Sequence, residues 1–179
     1  MVSNNKNKKK ISKSRNKKNL KLTQAMENYL LSIYMVMERM QTVSNSNLVD
    51  QLRRVPKTEN LGTSLPSVSG MLKRMEKEGL IYSNDNREIL LTKIGNELAE
   101  SLIRKHRIAA KMLVDLLNVN LSRVNAESHM LEHAISDELE GDIIKKLDYP
   151  KIDPFGQPIP DSGYKTPKSL STINNSLLD

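Results

Sequence analysis

Two of the three histidines in this 179-residue chain stand in one short run, His129-Met130-Leu131-Glu132-His133. On a helix, positions 129, 132 and 133 share a face, because side chains three and four apart lie above one another. Two imidazoles and a carboxylate on one face form a donor set for a divalent metal such as Mn, Fe, Co or Zn. The third histidine, His106, comes within reach if a preceding helix packs antiparallel. The spacing His-x-x-Glu-His is also the pattern of one class of zinc hydrolase, with His129 and His133 as ligands and Glu132 as general base. Such an enzyme needs a further ligand and a substrate cleft. The 46 residues after His133 are Pro-rich and contain no His. The expectation is a binding protein without catalytic residues. An unliganded His/Glu helix face is the plainer alternative.

A second constellation lies after Pro66. Val68, Met71, Leu72 and Met75 form an apolar stripe at helical spacing, and Gly70, Lys73, Arg74 and Lys77 form the opposite stripe, with Ser67 and Ser69 at its start. A helix that reads DNA needs one face packed on its domain and the other carrying donors into the major groove, with small residues first so that the end approaches closely. Ser67 and Ser69 suit phosphates or base edges, and Lys73, Arg74 and Lys77 suit phosphates or guanine. The alternative is an ordinary surface helix with a solvated charged face.

The elements that must position these residues are legible from periodicity. Thr23 reads as an N-cap, and Met26, Tyr29, Leu30, Ile33, Tyr34 and Met37 follow a 3.6-residue period, which predicts a helix over 24–40. A short helix starts near Ser46, and residues 53–65 read as a loop. Pro66 suits the first turn of the next helix and Gly79 its stop. Two β-prone runs, Leu80-Ile81-Tyr82 and Ile89-Leu90-Leu91, flank a polar turn and predict a hairpin with Arg87 at its tip, placed to touch DNA backbone or minor groove. Thr92 caps a long helix to about Leu117. Further helices are predicted over 122–135 and 137–147, and the Pro-rich remainder reads as extended or loosely ordered. Helix, helix, turn, helix, hairpin, long helix is the order of a winged helix-turn-helix domain feeding a helical module. That order favours the DNA reading of the polar stripe.

Composition agrees. There is no Cys, which excludes disulfides, thiolate metal sites and Cys nucleophiles. With one Phe, no Trp and nine Met, the core must be aliphatic. No apolar run approaches the ~18 residues of a membrane span, and no signal peptide is recognisable, so a cytoplasmic protein without a membrane partner is expected. The net charge of +7 is uneven. Residues 1–21 hold nine of the 28 basic residues and no acidic one, leaving 19 against 21 Asp and Glu beyond them. This stretch is expected to be a disordered basic tail, acting as a nonspecific arm on nucleic acid or simply solvated.

Taken together, these residues resemble the diphtheria-toxin-repressor and manganese-transport-regulator family of metal-dependent repressors. The matching stretches are Met26-Glu27-Asn28-Tyr29-Leu30-Leu31-Ser32-Ile33-Tyr34, Pro66-Ser67-Val68-Ser69 through Glu78-Gly79-Leu80, and Leu91-Thr92-Lys93-Ile94-Gly95. Further on come Arg104-Lys105-His106-Arg107, Leu131-Glu132-His133-Ala134-Ile135-Ser136-Asp137-Glu138 and Asp153-Pro154-Phe155-Gly156-Gln157-Pro158-Ile159-Pro160. The resemblance implies a homodimer on a palindromic double-stranded operator, repressing manganese or iron uptake genes. It places Asn28, His106, His129, Glu132 and His133 on metal-ligand positions. Manganese or iron is the implied ion, with zinc or cobalt next. Asn28 belongs to the DNA-binding part and His129, Glu132 and His133 to the dimer part, so a metal held by both would tie them together.

The chain also departs from the family pattern. Leu31 stands where one branch has a second carboxylate, and Ala110 and Asn125 stand where the other has Glu and His. An extra stretch around 57–63 lengthens the turn before the recognition helix. The expected organisation is a basic tail over 1–21, a winged helix-turn-helix DNA-binding domain over 22–92, an all-α metal-binding and dimerisation domain over 93–160, and a loose tail over 161–179. A constitutive DNA-binding regulator with a degenerate metal site is the second reading, and the zinc hydrolase the third.

Overall fold

The computed structural model describes residues 22–39 and 41–161. The expected basic tail and all but the first residue of the expected C-terminal tail lie outside them. The chain is mainly α: α1 (Gln24–Glu38), α2 (Asn45–Leu52), a 3₁₀ turn (Lys57–Glu59), α3 (Leu65–Lys77), β1 (Ile81–Ser83), β2 (Ile89–Leu91), α4 (Lys93–Asp115), α5 (Leu121–Glu132) and α6 (Asp137–Lys146).

Every α-helix starts on a Ser, Thr or Asn whose side chain accepts a backbone N–H of the first turn: Thr23, Ser44, Ser64, Thr92, Asn120 and Ser136. Each cap satisfies one of the donors a helix start leaves open. After α3, Gly79 takes φ +75°, the left-handed conformation that stops a helix. The two strands pair antiparallel with Ile81 opposite Leu91 and Ser83 opposite Ile89. Asn84 holds the turn between them, its Oδ1 accepting N–H from Asn86 and Glu88, and Ile89 N–H donates to Val43 O on the outer edge. Thr92 and Gly95 fix how the hairpin enters α4. Thr92 Oγ1 donates to Gly79 O at 2.7 Å, and a Cβ at Gly95 would stand 1.9 Å from Leu80 O. Only glycine lets the first turn of α4 lie against that backbone.

The first core is Leu30, Ile33, Val36, Leu48, Val68, Met75, Leu80 and Ile89 with neighbours, and it continues onto α4 through Ala99, Leu102 and Ile103. From Ile108 onward α4 serves two other clusters, one with Ile135, Ile143 and Ile159 and one with Leu113 and Val124. The long helix is therefore a spine shared by the winged-helix half and the helical half.

Two expectations need correction. First, α5 stops at Glu132 with His133 as its cap residue, three residues short of the predicted end, because Ser136 already caps α6 and the chain must turn between them. Second, residues 150–160 are not loose. Asp153 Oδ1 accepts N–H from Phe155 and Gln157, Ile152 bridges to Pro158, and Ile159 is buried. Arg104, half-buried, donates to Pro160 O and the buried Arg107 to Pro158 O, so two cations pin a segment that its prolines alone would leave open.

Candidate metal centre and nucleic-acid interface

The packing of α4 on α5 brings His106 to Glu132, and α1 lays Glu27 and Asn28 against His133. Glu132 is the centre of the cluster and is 1% exposed. Its Oε2 lies 2.6 Å from His106 Nδ1, and its Oε1 lies 3.0 Å from His129 Nδ1 and 3.4 Å from His133 Nε2. Burial pushes the Glu132 carboxyl up. The His106 hydrogen bond and the neighbouring His129 imidazole more than reverse this and leave it below the usual carboxylate range.

His133 joins the two halves. Its Nδ1 is 2.7 Å from Glu27 Oε2 and its Nε2 is 2.9 Å from Asn28 Oδ1. Burial pulls its pKa down. The Glu27 hydrogen bond and the charges of Glu132, Glu27 and Glu59 overcome that and raise it above the ordinary histidine value. Asn28 is itself buried and donates from Nδ2 to Glu59 Oε2 at 3.0 Å.

Among the described residues, His129 Nε2 and Glu132 Oε1 are the buried side-chain polar atoms without a hydrogen-bond partner. Leaving such atoms open costs roughly 1–3 kcal/mol each, and a cation is the partner both would accept. Two triads have one ligand atom from each residue within 4.8 Å of one another: His106, His129 and Glu132, and Glu59, His129 and His133. The donor set is nitrogen and carboxylate oxygen, which fits Mn, Fe, Co or Zn. The residues present therefore fit a divalent metal. The five ligand candidates from the sequence fall in one connected cluster, His106, His129 and Glu132 in the first triad, His133 in the second, and Asn28 against His133.

Glu59 and Glu27 were not foreseen. Glu59 sits in the aperiodic stretch before α3, where spacing says nothing about direction. Glu27 precedes Asn28 on α1, and its spacing alone does not show that it turns to His133.

The second constellation is also assembled. On α3, Ser67, Gly70, Lys73, Arg74 and Lys77 are exposed and Ser69 is half-buried. Two basic residues, Arg74 and Lys77, fall in the last turn, where they suit the helix dipole. Ser64 Oγ donates to Ser67 Oγ at 2.9 Å, and Asn45 Nδ2 donates to Ser69 Oγ at 3.3 Å, which ties the start of α3 to α2. No atom lies within 4 Å of a Cβ built on Gly70, so nothing inside the chain requires glycine there. Arg87 is exposed at the hairpin tip with φ +59°.

Comparison with known proteins follows this division. The family described as "Iron dependent repressor, N-terminal DNA binding domain" matches residues 21–88, and "Iron dependent repressor, metal binding and dimerisation domain" matches 92–161. The iron-dependent repressor IdeR of Mycobacterium leprae is 35% identical over 139 residues, covering 78% of this chain and 56% of the relative. The diphtheria toxin repressor of Corynebacterium diphtheriae is 33% identical over 139 residues, covering 78% and 58%. Among solved structures, the manganese regulator SloR superposes with a TM-score of 0.67 at 35% identity, covering 80% of this chain and 62% of that one. ScaR with bound Zn²⁺ gives 0.61 at 31%, covering 78% and 60%. The chain thus spans a little over half the length of the curated relatives it matches.

Proposed function

We propose, from the premise that this chain belongs to the iron-dependent repressor family, that it is a metal-dependent, DNA-binding transcriptional repressor of manganese or iron uptake genes, acting as a homodimer on a palindromic operator in the cytoplasm. The observation that carries this reading is the buried His/Glu cluster between the two halves, with two polar atoms left open. Asn28, His106, His129, Glu132 and His133 would hold the ion. When bound, a divalent cation supplies the positive charge that pairs Glu132 Oε1 and the Lewis acidity that takes the lone pair of His129 Nε2.

The chain's own residues do the rest. Asn28 and Glu27 belong to α1, against whose core α3 packs, and His133 and Glu132 close α5. Any ligand gripped by both sides favours the arrangement in which α1 and α5 are close. Its effect on DNA affinity equals its preference for that arrangement. Ser67, Ser69, Lys73, Arg74 and Lys77 would enter the major groove, with Arg87 on the flanking backbone. Leu117 and Leu121, exposed at the turn between α4 and α5, are suited to a second copy. No helix among the described residues is long and apolar enough to cross a membrane.

The hydrolase reading is disfavoured by Glu132 itself. A general base needs a free oxygen toward the substrate, and both Glu132 oxygens face imidazoles in a residue that is 1% exposed. The test is selection from a pool of random-sequence duplexes with Mn²⁺ and with chelator. A palindromic consensus recovered only with Mn²⁺ is expected. The same consensus with chelator would make the protein a constitutive DNA binder, and no consensus in either arm would remove the DNA reading.

A further inference from the structure

The stretch between α2 and α3 does more than lengthen a turn. It folds back so that Glu59, at the end of the 3₁₀ turn, reaches the mouth of the His/Glu cluster. Gln24 Nε2 and Asn28 Nδ2 both donate to Glu59 Oε2, at 2.9 and 3.0 Å, and neither takes Oε1. One ligand atom from each of Glu59, His129 and His133 fits within 4.8 Å, a span that suits donors about 2.0–2.2 Å from a common ion. His129 Nε2, buried and without a partner, opens onto the same cluster.

Charge gives the second argument. Asn28 is neutral and α1 carries Leu31 rather than a carboxylate one turn on. Without Glu59, the only carboxylate among the candidate ligands is Glu132, one negative charge for a doubly charged ion. Glu59 supplies the second.

From these observations we infer that Glu59 is a metal ligand, and that through it the inserted turn carries metal binding directly to the start of the DNA-reading helix. The inference rests on the metal-centre reading above and deepens it. The connection has little slack. Asn60 sits at φ +50°, and Leu61 packs on the first core. Gly62 O lies 3.4 Å from Tyr29 Oη, and a Cβ at Gly62 would stand 2.8 Å from Ser67 Cβ. Ser64, five residues after Glu59, is the N-cap of α3. A pull on the Glu59 carboxylate therefore reaches Ser64 and Ser67 through packed backbone.

The alternative is that Glu59 is only an acceptor for Gln24 and Asn28. Glu59→Gln separates the two, because the amide oxygen still accepts both hydrogen bonds while the charge is lost. Glu59→Asp keeps the charge but withdraws it by one methylene. The full chain and both variants, with Glu132→Ala as reference, are titrated with Mn²⁺ by calorimetry. Hydrogen exchange of residues 53–70 is followed with and without the ion.

In the unsubstituted chain, Mn²⁺ should slow exchange across 57–67. In Glu59→Gln the affinity should fall roughly 10–100-fold, the scale seen when groups supporting a metal site are lost. At saturating ion the protection of 57–67 should vanish while that of 128–134 persists. Glu59→Asp should fall between. Unchanged affinity together with unchanged protection in Glu59→Gln overturns the assignment and leaves the His/Glu centre standing. Failure of the unsubstituted chain to bind Mn²⁺, or binding that survives Glu132→Ala, overturns the centre and the inference with it.

Discussion

His106 and Arg107 are neighbours on α4, both are buried, and they serve opposite purposes. Arg107 turns toward the end of α1. It donates from Nη1 to Glu38 Oε1 at 3.0 Å and from Nη2 to Glu38 Oε2 at 2.5 Å, and again from Nη1 to Pro158 O at 2.6 Å. His106 turns toward Glu132, in a cluster where His129 Nε2 has no hydrogen-bond partner and Glu132 Oε1 has only ion-pair contacts with two imidazoles. Both clusters tie α1 to the helical half. The first is complete within the chain, the second is not. A buried polar group that its own chain satisfies belongs to the architecture. One that the chain leaves open calls for a partner, and between imidazoles and a carboxylate a cation is the partner that fits.

The Arg107 cluster should respond most strongly to the loss of one side chain. Arg107→Ala removes a buried guanidinium and leaves the Pro158 carbonyl and the partly exposed Glu38 short of a donor, which should cost about 1–3 kcal/mol. Urea unfolding measures it. A loss under ~1 kcal/mol would mean that water replaces the guanidinium and that the staple is not structural.

The open side should respond to metal instead. With Mn²⁺ at about 100 times its dissociation constant, the unsubstituted chain should gain about 2.7 kcal/mol of stability. If the two clusters are independent, Arg107→Ala should show the same gain from its lower baseline. A gain that vanishes in Arg107→Ala would show that the staple builds the metal site.

DNA affinity gives a third and smaller effect. Arg74→Ala should weaken binding by about 1–3 kcal/mol if Arg74 contacts a base, and relax preference at one position in each half-site. Unchanged affinity and preference in both Arg74→Ala and Lys77→Ala would remove α3 as the reader.

The smallest effect is expected at Asn28. Asn28→Ala deletes a neutral ligand, so metal affinity should drop only modestly, and part of the response of DNA binding to metal should be lost, the rest running through Glu59. Asn28→Asp should tighten Mn²⁺ by adding charge beside the ion. Full metal response in Asn28→Ala would move the coupling to another contact, of which Glu59 is the strongest.

The residues that sequence spacing exposes and those that it hides differ for a physical reason. Caps and periodic stripes are local, so Thr23, Thr92, the two faces of α3 and the stop at Gly79 were all legible. The His129, Glu132 and His133 face was legible too, although His133 caps α5 instead of lying within it. Glu59 was not, because its place depends on a turn folding back onto α1, which no period encodes. The segment 150–160 was misread for a related reason. Its prolines signal a break in helix, while its order comes from Arg104 and Arg107, some fifty residues earlier. The partners of those arginines appear only once α4 is packed.

The central claim is that the His/Glu cluster is open because it holds a divalent cation. Calorimetric titration of the full chain and of Glu132→Ala with Mn²⁺, with circular dichroism to confirm the helices, tests it most directly. The account predicts saturable binding in the first and a loss of at least ~100-fold in affinity, with helices intact, in the second. Equal binding by the two proteins, or none by either, would contradict it.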